Sequence, residues 1–231
     1  MSKSAELIGK TKEYVKELLA GENTGHDYAH TLRVYETACL LAQRETADMT
    51  TVALAALLHD VDDRKISAET SDSLERARVF LEKNGCGREE SGRILTIIRE
   101  VSYAGKDSVR PSTVEGMCVQ DADRLDALGA VGIARTFAYG GRHGRAIYDP
   151  DEVPDPGLDR ERYYQSRSSS IGHFYEKLLL LEGLMNTETA KAVARRRTAF
   201  MEEYLKEFFA EIAGEDIKTA VRINGQGQED L

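Results

Sequence analysis

At 231 residues the chain is long enough to bury about 70 to 75% of its unfolded surface, so size alone calls for neither a disulfide nor a metal. Hydrophobic residues make up 41% and charged residues 31%, the make-up of an ordinary globular protein. A net charge of −9 with an isoelectric point near 5.2 argues against a broad nucleic-acid-binding face, which needs clustered Lys and Arg, but leaves room for a local basic pocket.

Apolar residues recur at helical spacing along most of the chain, and strand alternation is nearly absent. A first helix is expected over residues 4–20, stopping at Gly21, and a second over 27–44, started by Asp27. Thr50 and Thr51 are candidate caps for a third, whose run VALAALL (52–58) is apolar almost all round and therefore belongs in the centre. Further helices read as SLERARVFLEKNG (73–85), EESGRILTIIREVSY (89–103) and one run from Thr113 to Tyr139, with Gly85, Gly105 and Gly140–Gly141 as punctuation. Residues 140–157 hold three of the four prolines and are expected to form a long loop, of the kind that often carries function. Two long helices complete the pattern, over 168–184 and 187–213. The expectation is an all-α, single-domain bundle over residues 1–215 and a flexible tail over 216–231.

Cys39, Cys86 and Cys118 are odd in number and widely spaced, which suits free thiols in a reducing compartment. The N-terminal stretch lacks the apolar core of a signal peptide, and no segment approaches the roughly 20 apolar residues of a membrane span. A cytoplasmic location and no membrane partner are expected.

The chemistry concentrates in three segments. GHDYAHTLRV carries His26 and His30, ALLHDVDD carries the adjacent pair His59–Asp60 at the end of the apolar run, and DADRLDALG carries Asp121, Asp123 and Asp126. Imidazole nitrogen and carboxylate oxygen together suit divalent transition metals, and two of each leave positions for water and a phosphoryl oxygen. His30, His59, Asp60 and Asp123 would make such a set, with Asp126, one turn from Asp123, as the rival for the last place.

HTLRV, LLHD and ADRLD, in this order and spacing, resemble the successive motifs of the HD-domain superfamily of metal-dependent phosphohydrolases, and in particular its small stand-alone bacterial and archaeal branch. The likeness runs through most of residues 20–210 and implies a helical bundle of the HD type. It also implies a metal held by His30, His59, Asp60 and Asp123. No histidine separates Asp60 from Asp123, which favours one divalent ion, manganese first and magnesium, iron, cobalt or nickel as alternatives. Some members of the branch hydrolyse nucleoside triphosphates to monophosphate and pyrophosphate. The expected activity is therefore hydrolysis of a nucleotide or similar small phosphate ester, and the expected partner is that substrate, with a homodimer left open.

Around the ligands, Asp63 lies four residues after His59, one helical turn on. It is a candidate to orient or deprotonate water, against a solvated acidic face shared with Asp62. Lys65 is a candidate phosphate ligand and His26 a candidate proton-transfer group, against an exposed lysine and a helix-start residue. Arg33 could pair with a ligand carboxylate, whereas Arg124 reads as a structural ion-pair donor and His173 as a helix-packing residue. Arg142, His143, Arg145 and Lys177 are candidates to surround a polyphosphate, and Tyr139 and Tyr148 to stack a base. Two other functions remain open: hydrolysis of the hyperphosphorylated guanosine alarmone, although Ala127 replaces an asparagine expected for that group, and non-catalytic nucleotide binding.

Overall fold

The computed structural model describes residues 2–21, 27–63 and 69–218. Ten α-helices are found among them: α1 Lys3–Leu18, α2 Tyr28–Glu45, α3 Met49–Leu58, α4 Glu75–Lys83, α5 Arg88–Val101, α6 Val114–Asp126, α7 Gly129–Arg142, α8 Arg160–Gln165, α9 Ser170–Glu176 and α10 Glu188–Ile212. No strand occurs among the described residues, so the all-α expectation holds.

The apolar run of α3 occupies the middle. Every residue from Thr51 to Leu58 is buried, and α1, α2, α5 and α6 pack around it. Leu54, Leu57 and Leu58 are each 0% exposed, and such full burial contributes on the order of 1.5–3 kcal/mol per side chain. A helix apolar on all sides ends where polar residues begin, and α3 stops at Leu58, immediately before His59 and Asp60. Its N-terminus is capped by Asp48, which accepts from the Thr51 amide at 2.7 Å, and not by Thr50 or Thr51 as expected. Asp27 begins α2 as anticipated, accepting from the His30 amide at 2.7 Å.

Three sequence expectations need correction. The run over 113–139 is two helices, because Leu128 is extended and Gly129 takes φ +71°, a conformation open to glycine without strain. The second of the two continues through Gly140–Gly141 to Arg142, so the loop expected from 140 begins at His143. The helix expected over 168–184 is only α9, followed by 3₁₀ turns at Leu178–Leu180 and Glu182–Leu184. In the tighter 3₁₀ winding side chains three apart align, which sends Leu178 and Leu181 inward together, at 2% and 0% exposure. A short helix unforeseen in the sequence, α8, covers Arg160–Gln165. The remaining loop is tied down: Glu152 accepts from the Ser169 amide at 2.9 Å and from its hydroxyl at 2.5 Å, and the Ala146 and Ile147 carbonyls accept from Ser170 and Ile171, both at 2.9 Å.

Candidate metal centre and adjoining cleft

Three elements deliver the imidazoles and carboxylates to one point. His30 comes from the first turn of α2, His59 and Asp60 from the turn that follows α3, and Asp123 from α6. One ligand atom from each of His30, His59 and Asp60 lies within 4.8 Å of the others, and all three residues are buried. His30 Nε2 stands 3.2 Å from Asp60 Oδ2 and 3.5 Å from Asp123 Oδ1. His59 Nε2 stands 3.3 Å from Asp60 Oδ1 and 3.7 Å from Asp123 Oδ1.

The far nitrogen of each ring is committed elsewhere, which decides what the near one can do. His59 Nδ1 lies 2.8 Å from the Ala56 carbonyl, an oxygen that can only accept, so Nδ1 donates and Nε2 carries the lone pair when the ring is neutral. His59 Nε2 is buried and has no hydrogen bond of good geometry. A buried polar atom without a partner is costly, and for the neutral ring a cation is the partner that this donor set suits. Two atoms bound at ~2.1 Å to one ion stand roughly 3.0–3.4 Å apart, close to the spacings found, so the residues fit a divalent metal. Burial works against a charged His59, but the carboxylates of Asp60 and Asp123 outweigh it and raise its pKa to about 10. Burial likewise opposes ionisation of Asp123, yet His59 and His30 hold its carboxyl well below the usual range.

Asp126, the rival ligand, is engaged otherwise. It accepts from His30 Nδ1 at 2.7 Å, from Arg33 Nε at 2.7 Å and Nη2 at 3.0 Å, and from Arg135 Nη1 at 2.9 Å. Arg33 therefore pairs with a carboxylate behind a candidate ligand, and not with one of the four candidates themselves. Asp62 is 2% exposed and accepts from the Arg76 and Ala77 amides at the start of α4, which removes the solvated acidic face proposed for it. Asp63 follows a non-helical turn closed by its own amide on the Asp60 carbonyl at 3.0 Å. It is half-buried and does not continue a helical face from His59. His26 and Lys65 lie outside the described residues.

Asp123 also borders a cavity of about 170 Å³. Four cations line it, Arg124, Arg135, Arg145 and Lys177, together with Tyr103, Tyr139, Tyr163 and Tyr164. Lys177 Nζ lies over the Tyr103 and Tyr163 rings, 4.9 and 5.6 Å from their centroids. Burial first, and then Tyr163, pushes the Tyr103 hydroxyl up to about 12, so it stays a neutral donor. Arg124, read from sequence as an ion-pair donor, gives its Nη1 to the Leu184 carbonyl and forms cleft wall. Lys177 and Arg145 are thus brought to the cleft. Arg142 is exposed on the last turn of α7 and outside its lining, and His143 stacks on the Tyr139 ring at 4.0 Å. His173 lines the cleft and stacks loosely on Tyr163 at 6.4 Å. Tyr148 packs against Phe208 and Phe209, leaving Tyr139 as the cleft tyrosine of the anticipated pair. Sequence reasoning missed Arg135, Tyr103, Tyr163, Tyr164 and Glu176. Arg135 alone had a local signal, its place nine residues after Asp126 within the motif-bearing stretch.

The HD domain family matches residues 27–128, from the cap of α2 to just past α6, the span that supplies all four candidate ligands. YpgQ of Bacillus subtilis, an uncharacterised protein, is 36% identical over 220 residues, covering 94% of this chain and 98% of its own length. A solved Lactobacillus plantarum protein is 38% identical with a TM-score of 0.82, covering 90% of this chain and 97% of its own. An HD-superfamily hydrolase from Bacillus thuringiensis is 40% identical with a TM-score of 0.70, covering 91% and 98%. The structure of YpgQ in complex with ADP superposes with a TM-score of 0.69 at 34% identity, over 90% of this chain and 98% of that one. With the paired imidazoles and carboxylates at the junction of α2, α3 and α6, and with relatives alike over nearly their whole length, the chain belongs to the HD-domain superfamily.

Proposed function

We propose that the protein is a metal-dependent phosphohydrolase acting on a nucleotide, with cleavage of a nucleoside triphosphate to monophosphate and pyrophosphate as the leading reaction. The observation that carries this reading is the meeting of His30, His59, Asp60 and Asp123 beside a cleft that Asp123 lines together with four cations and four tyrosines. YpgQ binding ADP supports a nucleotide over other phosphate esters. One divalent ion, manganese first, would be held by those four residues and would supply Lewis-acid polarisation of a phosphoryl oxygen and a lowered pKa for water.

The chain's own groups do the rest. Arg124 and Lys177 line the same cavity as Asp123 and can neutralise charge that develops on the phosphoryl oxygens. Arg145, held by its Nη2 bond to the Ser166 carbonyl at 2.9 Å, provides a further cation at the cleft. Asp63 follows the His59–Asp60 turn and is the candidate to take the proton from attacking water, with His26 as a second proton-transfer group and Lys65 as a phosphate ligand.

The test is a screen of the manganese-loaded protein against nucleotides, with phosphate and pyrophosphate assayed separately. Pyrophosphate release from triphosphates is expected, with metal lost in His59→Ala and Asp123→Asn, and with metal kept but turnover lowered by roughly 10² in Asp63→Asn. Full metal occupancy in both ligand variants, or no turnover of any nucleotide, would overturn the reading.

A further inference from the structure

Glu176 is a carboxylate where a phosphate cleft should not have one. It is the last residue of α9 and 7% exposed, and it lines the cleft beside Lys177. No ion pair with a described Lys or Arg holds it. Its Oε2 accepts from Ser168 Oγ at 2.7 Å and from Ser166 Oγ at 3.0 Å. Two hydroxyls aimed at one oxygen hold the group as an acceptor. An ionised carboxylate has about four lone-pair sites, so capacity remains for donors from a ligand.

Like charges repel, so the phosphate oxygens are disfavoured in direct contact with this carboxylate. The reacting phosphate belongs beside the candidate metal ligands, where Asp123 and Arg124 of α6 and Arg135 of α7 line the cavity, and Lys177 and Arg145 remain cations for the rest of the tail. The same cavity joins Asp123 and Arg124 of α6 and Arg135 of α7 to Glu176 of α9. What suits Glu176 is an uncharged part of the substrate that carries N–H or O–H donors, set between aromatic faces such as those of Tyr163 and Tyr164, which line the same cavity.

We propose that Glu176 is the anchor of a nucleoside subsite, accepting a hydrogen bond from a sugar hydroxyl or a base amino group and thereby orienting the substrate with its phosphates toward Asp123. This rests on the nucleotide reading of the cleft. It assigns direction to the bound molecule and makes Glu176 a specificity-determining residue, because a ligand without a donor there leaves the carboxylate buried and unmatched.

The experiment compares binding of ADP and of inorganic pyrophosphate, each with Mn²⁺, to the wild type and to E176Q. Glutamine keeps the size and removes the charge, and pyrophosphate has no nucleoside to sense it. ADP affinity is expected to fall on the order of tenfold or more, the scale of a hydrogen bond to a charged group, while pyrophosphate affinity stays within about twofold. Equal weakening of both ligands would make Glu176 merely structural, and unchanged ADP affinity would remove it from the subsite; either overturns the proposal. Analogues lacking the 2′- or 3′-hydroxyl, and IDP in place of ADP, locate the donor. The one that already binds the wild type weakly should lose nothing further in E176Q, and additive losses with every analogue would overturn the hydrogen bond. Failure of the wild type to bind ADP while binding pyrophosphate would instead overturn the nucleotide reading beneath it.

Discussion

Asp126 gathers His30, Arg33 and Arg135 onto one carboxylate. Burial would raise its pKa, but the bonds from His30 and Arg33 keep the group ionised. An ionised carboxylate can only accept, so His30 Nδ1 donates, and in the neutral ring, the form that ligates a metal, Nε2 carries the lone pair toward Asp60 and Asp123. The ring is thus placed and its tautomer chosen from behind. Asp126→Asn, which can turn an amide N–H toward His30, is expected to weaken Mn²⁺ binding by roughly 10 to 100-fold, whereas Asp123→Asn removes it. Titration of the metal-free variants with Mn²⁺ checks this, and the reverse ranking would make Asp126 the ligand. Arg135 also lines the adjoining cleft, so the same carboxylate joins a wall of that cleft to a candidate metal-ligating histidine.

At the scale of elements, the segment between α7 and α9 shows how a loop rich in glycine and proline can still be a defined wall. Glu152 accepts from the amide and hydroxyl of Ser169, the residue that caps α9, and Arg145 reaches the Ser166 carbonyl just ahead of it. Glu152→Ala should therefore release both the loop and the start of α9, at a cost of about 1–2 kcal/mol for the lost hydrogen bonds to Ser169. Faster tryptic cleavage after Arg142 and Arg145 and a several-fold rise in KM for the nucleotide are expected, with metal content unchanged. Cleavage and KM equal to wild type would show that the clasp does not hold the cleft.

For the molecule as a whole, the candidate ligands tie three separated segments around the α3 core, so a bound ion opposes their separation. At 100 times its dissociation constant a ligand specific to the folded state stabilises by about 2.7 kcal/mol. For a domain of this size each 1 kcal/mol moves Tm by roughly 2–4 °C. Chelation should therefore lower Tm by about 5–10 °C and Mn²⁺ should restore it, with helical circular dichroism preserved below the transition because the core itself contains no ligand. A Tm indifferent to chelator would count against a metal at this place.

What the sequence determined by itself was the local and periodic part. Apolar spacing placed α1, α2, α5 and α10 to within a few residues, the all-round apolar run marked α3 as the central helix, and the end of that run put His59 and Asp60 at the edge of the core. Order and spacing of the His and Asp motifs likewise named a ligand set whose atoms the fold brings within reach of one another. Tertiary structure alone decided the rest. Whether 113–139 is one helix or two turned on the backbone angle at Gly129, and whether 168–184 stays α-helical turned on which leucines the core could take. The cleft joins Tyr103, Asp123, Arg135, Arg145 and Glu176, residues from five separate segments that share no period. Asp123 and Asp126 lie on one helix with the same chemistry, and apart from the motif likeness it is their neighbours across the fold, the His59 ring for one and two arginines for the other, that tell them apart.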